Sequence, residues 1–361
     1  MERVNPLKTD SHYKELSGMQ VARGSRSMRL DLLLPTLRRP HLLERALASI
    51  ARAEPPRRLQ VAVIVINNDV RPELPGLEAA LAAVPFPARV LHEPQPGKSA
   101  ALNTGIMASK ADYLGFVDDD EELAPDWFRV VEDALDTDPA DFLGGPIRLR
   151  PGCEFPTWLP TTYPAVVGSA ESGVTELPYG PTFPGMLKGG NAVISRAALD
   201  RVGLYDPDLG PRLDRRLFSC EDEDMYVRLV DSGARGRYLP NLIVYHCVHA
   251  ERLRKRYYRA WAFWNGASKG VLDLRHPTRL PQIAGVPRYA YGDAVRGLGT
   301  WCRTIARGGP EHVRMAAELP LWHLVGRLYG RHLQRPRGKG SSVARRNPSD
   351  RAVMVGCGSR F

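Results

Sequence analysis

Nothing in this chain pairs its cysteines. The five, Cys153, Cys220, Cys247, Cys302 and Cys357, are odd in number, scattered along the chain, and form no C-x-x-C pair. That pattern argues against a disulfide framework or a structural zinc site and predicts a reducing, cytoplasmic setting. Long apolar runs are lacking as well: none approaches the ~18–20 residues that a bilayer-spanning helix needs. Residues 1–27 are polar and hold no apolar segment of the kind a secretory signal requires, so a flexible N-terminal arm is expected there. There is no internal repeat, and only the Arg/Gly-rich stretch from Arg335 to Arg346 has the bias of a disordered segment.

In bulk the rest is ordinary: 361 residues, 43% hydrophobic and 25% charged, enough for one large α/β core with appendages. The placement of charge is not ordinary. A net charge of +10 hides a mildly acidic front, with 28 Lys+Arg against 34 Asp+Glu through His249, and a basic remainder with 22 against 6. Such a split predicts two jobs in one chain. No nucleic-acid-binding motif accompanies the charge, so nucleic acid is not expected as a partner.

Hydrophobic periodicity supplies the architecture. Leu30–Leu34, Val61–Ile66, Ala88–His92 and Tyr113–Val117 read as strands, the second as a β-branched run buried on both faces. Between them Pro40–Arg52, Gly76–Val84 and Ser99–Ser109 read as helices, and Pro125–Leu135 follows. Alternating strands and helices call for right-handed βαβ units on a parallel sheet, with ligands beyond the carboxyl ends of its strands. After Phe142 the pattern loosens. Residues 150–187 predict a long functional loop, Ala192–Ser195 a strand, Cys220–Ser232 a helix, and Leu242–Tyr245 a strand. Four segments are expected: an arm over 1–27, an α/β domain over 28–270, a basic amphipathic helical extension over 271–334, and a disordered tail over 335–361.

One apolar strand, Tyr113 to Val117, ends in three consecutive carboxylates, Asp118-Asp119-Asp120. Like charges so close need a cation between them or full solvation. In an extended segment Asp118 and Asp120 would share a face, a pairing suited to a hard divalent ion that also takes phosphate oxygens. A lone acidic triplet is more often a solvated loop; its companions decide the matter here. They are Leu34-Pro35-Thr36-Leu37-Arg38-Arg39-Pro40, Val65-Ile66-Asn67-Asn68-Asp69, Gly97-Lys98-Ser99-Ala100-Ala101-Leu102-Asn103-Thr104-Gly105, Gly189-Gly190-Asn191, Glu221-Asp222 ahead of Arg228-Leu229, and Tyr245-His246.

In order and spacing these pieces resemble glycosyltransferase family 2, inverting nucleotide-sugar transferases of the GT-A fold, over Arg29 to Gly270. The resemblance implies a nucleoside-diphosphate sugar donor, a hydroxyl on a glycan or lipid-linked acceptor, and Mn²⁺ or Mg²⁺ as cofactor. It gives the metal to Asp120, with Asp118 and His246 as further ligands. It gives the general base to Asp222, beside Glu221, because the acceptor hydroxyl must lose its proton on the face opposite the leaving diphosphate. Pro35, Thr36, Arg38, Asn67 and Asp69 are implied for the nucleoside; Gly97, Lys98, Asn103, Asp118, Asp119, Gly190 and Asn191 for the rest of the donor. The family usually has Asp where this chain has Asn67; an amide also accepts, without charge assistance.

Rival readings are weaker. A P-loop ending at Gly97-Lys98-Ser99 would need glycine at His92, and an EF-hand would need it at Leu123. Acids such as Glu223 and Asp224 in a first helical turn are as often dipole partners. Trp127 and Trp158 are expected to pack rather than stack on sugar. A non-catalytic binding module is the alternative function, disfavoured because Asp118, Asp120 and Asp222 are all present. In the basic third, Leu253, Tyr257, Trp261 and Trp264 form one helical stripe, and Leu319–Leu333 is a second apolar segment. Either helix closes the domain or lies on an anionic membrane at the inner face of the cell.

Overall fold

The computed structural model describes residues 27–74, 76–160, 162–212 and 217–333. The expected tail, and all but residue 27 of the expected arm, lie outside them.

Alternation along two central strands builds both sides of the core. In β1 (Arg29–Thr36), Leu30, Leu32 and Leu34 enter one apolar cluster while Leu33 enters the other. Helix α1 (Pro40–Arg52) covers the first side, and β2 (Gln60–Asn67) repeats the split with Val61, Val63 and Val65 against Ile64 and Ile66. Helix α2 is only Glu78–Ala82, shorter than its pattern predicts, and β3 (Ala88–His92) forms the sheet edge. Helix α3 (Lys98–Ala108) lies on the second side, and β4 (Tyr113–Phe116) pairs with β1. These four strands run parallel.

Next come β5 (Glu121–Leu123), α4 (Trp127–Thr137), β6 (Phe142–Gly144) and β7 (Ile147–Leu149). The long loop beyond includes β8 (Leu177–Tyr179), and is followed by β9 (Ala192–Ser195), α5 (Arg196–Val202), α6 (Glu221–Asp231), β10 (Gly236–Tyr238) and β11 (Val244–His246). The main sheet has the order β3-β2-β1-β4-β9-β6-β10-β8. It is mostly parallel, but β9 runs antiparallel to both its neighbours and β8 antiparallel to β10. A chain reversal therefore sits beside the acid-bearing strand, which the βαβ pattern alone does not predict. A small sheet, β5-β11-β7, lies apart and sets His246 opposite Glu121.

Helix α7 (Lys255–Arg275) leads to the hairpin β12 (Gln282–Ile283) and β13 (Val286–Pro287), then to α8 (Arg288–Ala306) and α9 (Glu311–Leu333). Position 270 thus falls inside α7. The stripe Leu253, Tyr257, Trp261 packs with Tyr163, Val166, Met315 and Leu319, and Trp264 packs with Leu209 and Phe218. Helix α7 closes the α/β domain. Gly266 and Gly270 of α7 face Gly326 and Gly330 of α9 so closely that a side chain on any of them would strike the other helix's backbone. Pro320 inside α9 cannot donate to the Ala316 carbonyl; the Tyr163 hydroxyl donates to it instead, at 3.2 Å.

Candidate active site

The acids leave the strand before they act. β4 ends at Phe116, and Asp119 and Asp120 occupy a turn. The expectation that Asp118 and Asp120 share a strand face is therefore corrected: the turn sends each carboxylate to different cations. Asp118 accepts from Lys98 Nζ at 2.7 Å. Asp119, at the bottom, accepts from the Thr36 hydroxyl at 2.8 Å and meets Arg39 at 3.1 Å. Asp120 meets Arg39 at 3.1 Å, His249 at 3.5 Å, His246 at 3.6 Å and Arg252 at 3.7 Å. Burial pushes the Asp119 carboxyl up to about 7 against the pull of Arg39, with Asp120 adding to the rise. Burial acts on Asp120 in the same sense but is outweighed, and the two histidines and Arg252 hold it well below the usual carboxylate range.

The β5–β11 ladder explains how His246 arrives: it pairs with Glu121, and the Cys247 N–H donates to the Asp120 carbonyl at 2.9 Å. Both ring nitrogens of His246 and Nε2 of His249 are buried without a hydrogen-bond partner. Among the described residues no three His, Cys, Asp or Glu side chains are already gathered as a metal cage. Unpaired imidazole nitrogens facing an ionised carboxylate nevertheless fit a divalent ion that takes its remaining ligands from a diphosphate.

The second acidic run opens α6. Cys220, in the left-handed region at a φ of 77°, turns the chain so that Glu221 and Asp222 point inward. Burial, with Asp222 alongside, raises Glu221 to about 8. Asp222 Oδ1 is buried without a hydrogen-bond partner. Gly189 and Gly190 make room: a side chain on the first would collide with the Asp222 carboxylate, and on the second with Glu121. Lys98 joins the two runs, since its ammonium also lies 3.7 Å from Glu221. Although burial works against it, the charges of Asp118, Asp222 and Glu221 keep that ammonium firmly protonated.

Several residues implied for the donor are held elsewhere. Asn67 donates to the Arg71 carbonyl and accepts from the Asp69 N–H. Asn103 grips the Tyr205 backbone at both ends of its amide. Asn191 accepts from Trp127 Nε1 and donates to the carbonyls of Pro146 and Leu242. All three are buried and position loops rather than present an amide to a ligand. The backbone N–H groups of Gly97 and Lys98 donate to Asn68 and Pro211, so they are not free for phosphate. Pro35 is buried in β1, one residue before Thr36. Arg38 and Asp69 form a two-pronged pair at 2.6 and 2.8 Å at the rim, and Arg38 draws the Asp69 carboxyl down to about 2.

Sequence reasoning missed Arg39, which bridges Asp119 and Asp120, and Glu121, buried and pushed well up by that burial with Asp118 and Asp120 nearby. It also missed His249 and Arg252 at Asp120. The signal for Arg39 was its place between a strand end and a helix start, immediately before Pro40. None existed for Arg252, which is brought in by tertiary packing. Trp127 is fully buried, and Trp158 packs edge-on against Tyr258, as expected.

With this geometry in hand, comparison decides the lineage. Residues 31–203 match the family model described as Glycosyl transferase family 2. That match, over just under half of the chain, identifies a glycosyltransferase family 2 domain. Among curated family relatives, it is 36% identical over 135 residues to the succinoglycan biosynthesis protein ExoM of Rhizobium meliloti, covering 37% of this chain and 43% of that one. It is 31% identical over 193 residues to the pre-mycofactocin glycosyltransferase of Mycobacterium tuberculosis, covering 53% and 38%. The chain thus spans about two-fifths of the length of these relatives. Among solved structures it superposes on the mannosyltransferase PcManGT from Pyrobaculum calidifontis, determined with GDP-Man and Mn²⁺, with a TM-score of 0.56 over 86% of this chain and 89% of that one. At 16% identity that likeness establishes the fold, which is GT-A with a helical C-terminal region.

Proposed function

We propose that this family 2 glycosyltransferase moves a sugar from a nucleoside-diphosphate donor to a hydroxyl on a glycan or lipid-linked acceptor, with inversion at the anomeric carbon. The observation that carries the reading is the Asp222 carboxylate, inward-facing with Oδ1 unpartnered, next to Glu221, which lies 3.7 Å from the Lys98 ammonium that also pairs with Asp118. In this mechanism the Asp222 carboxylate takes the acceptor proton, and Gly189, with no side chain to collide with it, leaves room for that carboxylate. Arg39 and Arg252, drawn in by the acid turn, supply positive charge where a diphosphate gathers negative charge as it leaves. A divalent ion held by Asp120 with His246 and His249, and steadied by Asp118, would act as a Lewis acid toward that diphosphate.

Support for the donor class and for Mn²⁺ comes from the PcManGT structure, which holds both. Support for a cell-surface product comes from the succinoglycan relative. Unpaired Cys153, Cys220, Cys247 and Cys302 support a cytoplasmic reaction, with the acceptor met at the inner face of the membrane. A panel of nucleotide sugars assayed with Mn²⁺, Mg²⁺ or chelator tests the reading, followed by NMR of the product anomer. Turnover unaffected by excess chelator would overturn the metal role, and a retained anomeric configuration would overturn Asp222 as the base for in-line attack.

A further inference from the structure

The sequence offers two segments for contact with a membrane, and the structure buries the stripe of the first. The exposed apolar surface of the basic third instead centres on α8, within the amphipathic extension expected over 271–334. Its inward side is made of Ala290, Ala294 and Gly297. Val295, Leu298 and Ile305 stand outside, Val295 with 71% of its surface free. Spaced three and seven residues apart, they share a ridge with Tyr291 and Cys302.

The antiparallel partner α9 adds Leu321, Trp322 and Val325, all exposed. Gly297 lies against the Ala317 carbonyl and Pro320, which sets Leu321 level with Val295 and Leu298. With α9 on the inward side of α8, helical phase turns both ridges to one side of the hairpin. Exposed Ile283 extends the face, because its carbonyl accepts from the Tyr291 hydroxyl.

Charge decides what covers this face. From Arg288 to Leu333 there are seven arginines and three acids. Each acid is already paired: Asp293 with Arg296, Glu311 with Lys255, Glu318 with Arg259. Arg288, Arg296, Arg303 and Arg307 are all exposed: Arg288 flanks the apolar ridge, and helical phase puts the other three on the opposite flank of α8. An apolar face backed by an arginine-rich polar face, with Trp301, Trp322 and Tyr289 part-exposed, matches a helix lying in a lipid headgroup layer. Among the described residues no helix is long and apolar enough to cross a membrane.

We propose that the outer face of the α8–α9 hairpin is the docking surface of this enzyme for an anionic phospholipid bilayer. The proposal rests on the membrane-side acceptor inferred above, not on the sugar chemistry, and its test is independent of turnover. Full-length protein is sedimented with vesicles of phosphatidylcholine alone or mixed with phosphatidylglycerol, at low salt and at about 0.5 M salt. Binding is expected to the anionic vesicles only, with release at high salt. Replacing Arg296, Arg303 and Arg307 together by Gln should lower partitioning severalfold, with about fivefold per arginine as the upper bound. Leu298→Ser with Ile305→Ser should also weaken it. Unchanged nucleotide binding and circular dichroism confirm that these surface variants fold. Wild-type protein that ignores anionic vesicles at low salt overturns the proposal, as does a triple variant that binds like wild type. So does a dimer that Leu298→Ser and Ile305→Ser dissolve while vesicle binding is absent.

Discussion

Two runs of acids, Asp118 to Glu121 and Glu221 to Asp224, look alike as sequence and are used in opposite ways. In the first, a turn aims the three aspartates at cations from distant parts of the chain: Lys98, Arg39, and Arg252 with two histidines. In the second, a helix sorts the acids by face. Glu221 and Asp222 look into the site, whereas Glu223 binds Lys269 and Asp224 binds Arg228 and His276, fastening α6 to its own surface and to α7. The first run concentrates charge for a ligand; the second divides its charge between chemistry and architecture. The local backbone, turn or helix, makes that difference.

Breaking the comparison at its most sensitive point means Asp120→Ala. A Lewis acid contributes several kcal/mol to a transition state, so sugar transfer should fall by on the order of 10³-fold or more, and chelation of wild type should do likewise. Turnover of the preferred nucleotide sugar measures both. Asp222→Asn comes next. Losing a general base lowers the rate by ~10²–10⁴-fold, and isothermal titration should find donor affinity nearly unchanged.

The architectural half of the second run responds in stability instead. Lys269→Met takes the ion-pair partner from the part-buried Glu223, which costs about 1–3 kcal/mol; adding Glu223→Gln should restore most of it. Urea midpoints report the loss and the recovery. The smallest effect is on pH dependence. The folded chain keeps the Glu221 proton to about 8, while an unfolded glutamate releases it near 4.5. The folded state therefore holds the extra proton across that window, and stability should decline as pH rises through it. Glu221→Gln should flatten the decline, as urea midpoints at the two ends of the window will show.

Much of this was legible beforehand. β1, α1, β2, β3 and α3 lie within a residue or two of their hydrophobic patterns, because period and end signals agree there. The acid turn and the Glu221-Asp222 pair were visible as motifs. What sequence could not give was partnership. Asn67, Asn103 and Asn191 sit in motif positions, yet the amide of Asn67 is claimed by backbone two and four residues on, and those of Asn103 and Asn191 by groups that arrive from far along the chain. Arg252 reaches Asp120 across 132 positions of sequence, and no local pattern encodes that approach. The basic third shows a related limit: periodicity marks an apolar stripe without saying whether protein or solvent lies beyond it, and of the two readings offered for the first stripe the structure takes domain closure.

The four glycines between α7 and α9 have a consequence for engineering. Because the two backbones touch, neither helix can be exchanged for a homologous one unless its partner is recut to match. α7 begins three residues after Arg252, so a graft that spread the pair would reach the acid turn through the chain itself. Chimaeras joined within residues 255–333 are therefore expected to inherit site defects that no substitution at the acid turn would repair, whereas a junction ahead of Ala250 would carry Arg252 and both helices across as one transplantable unit.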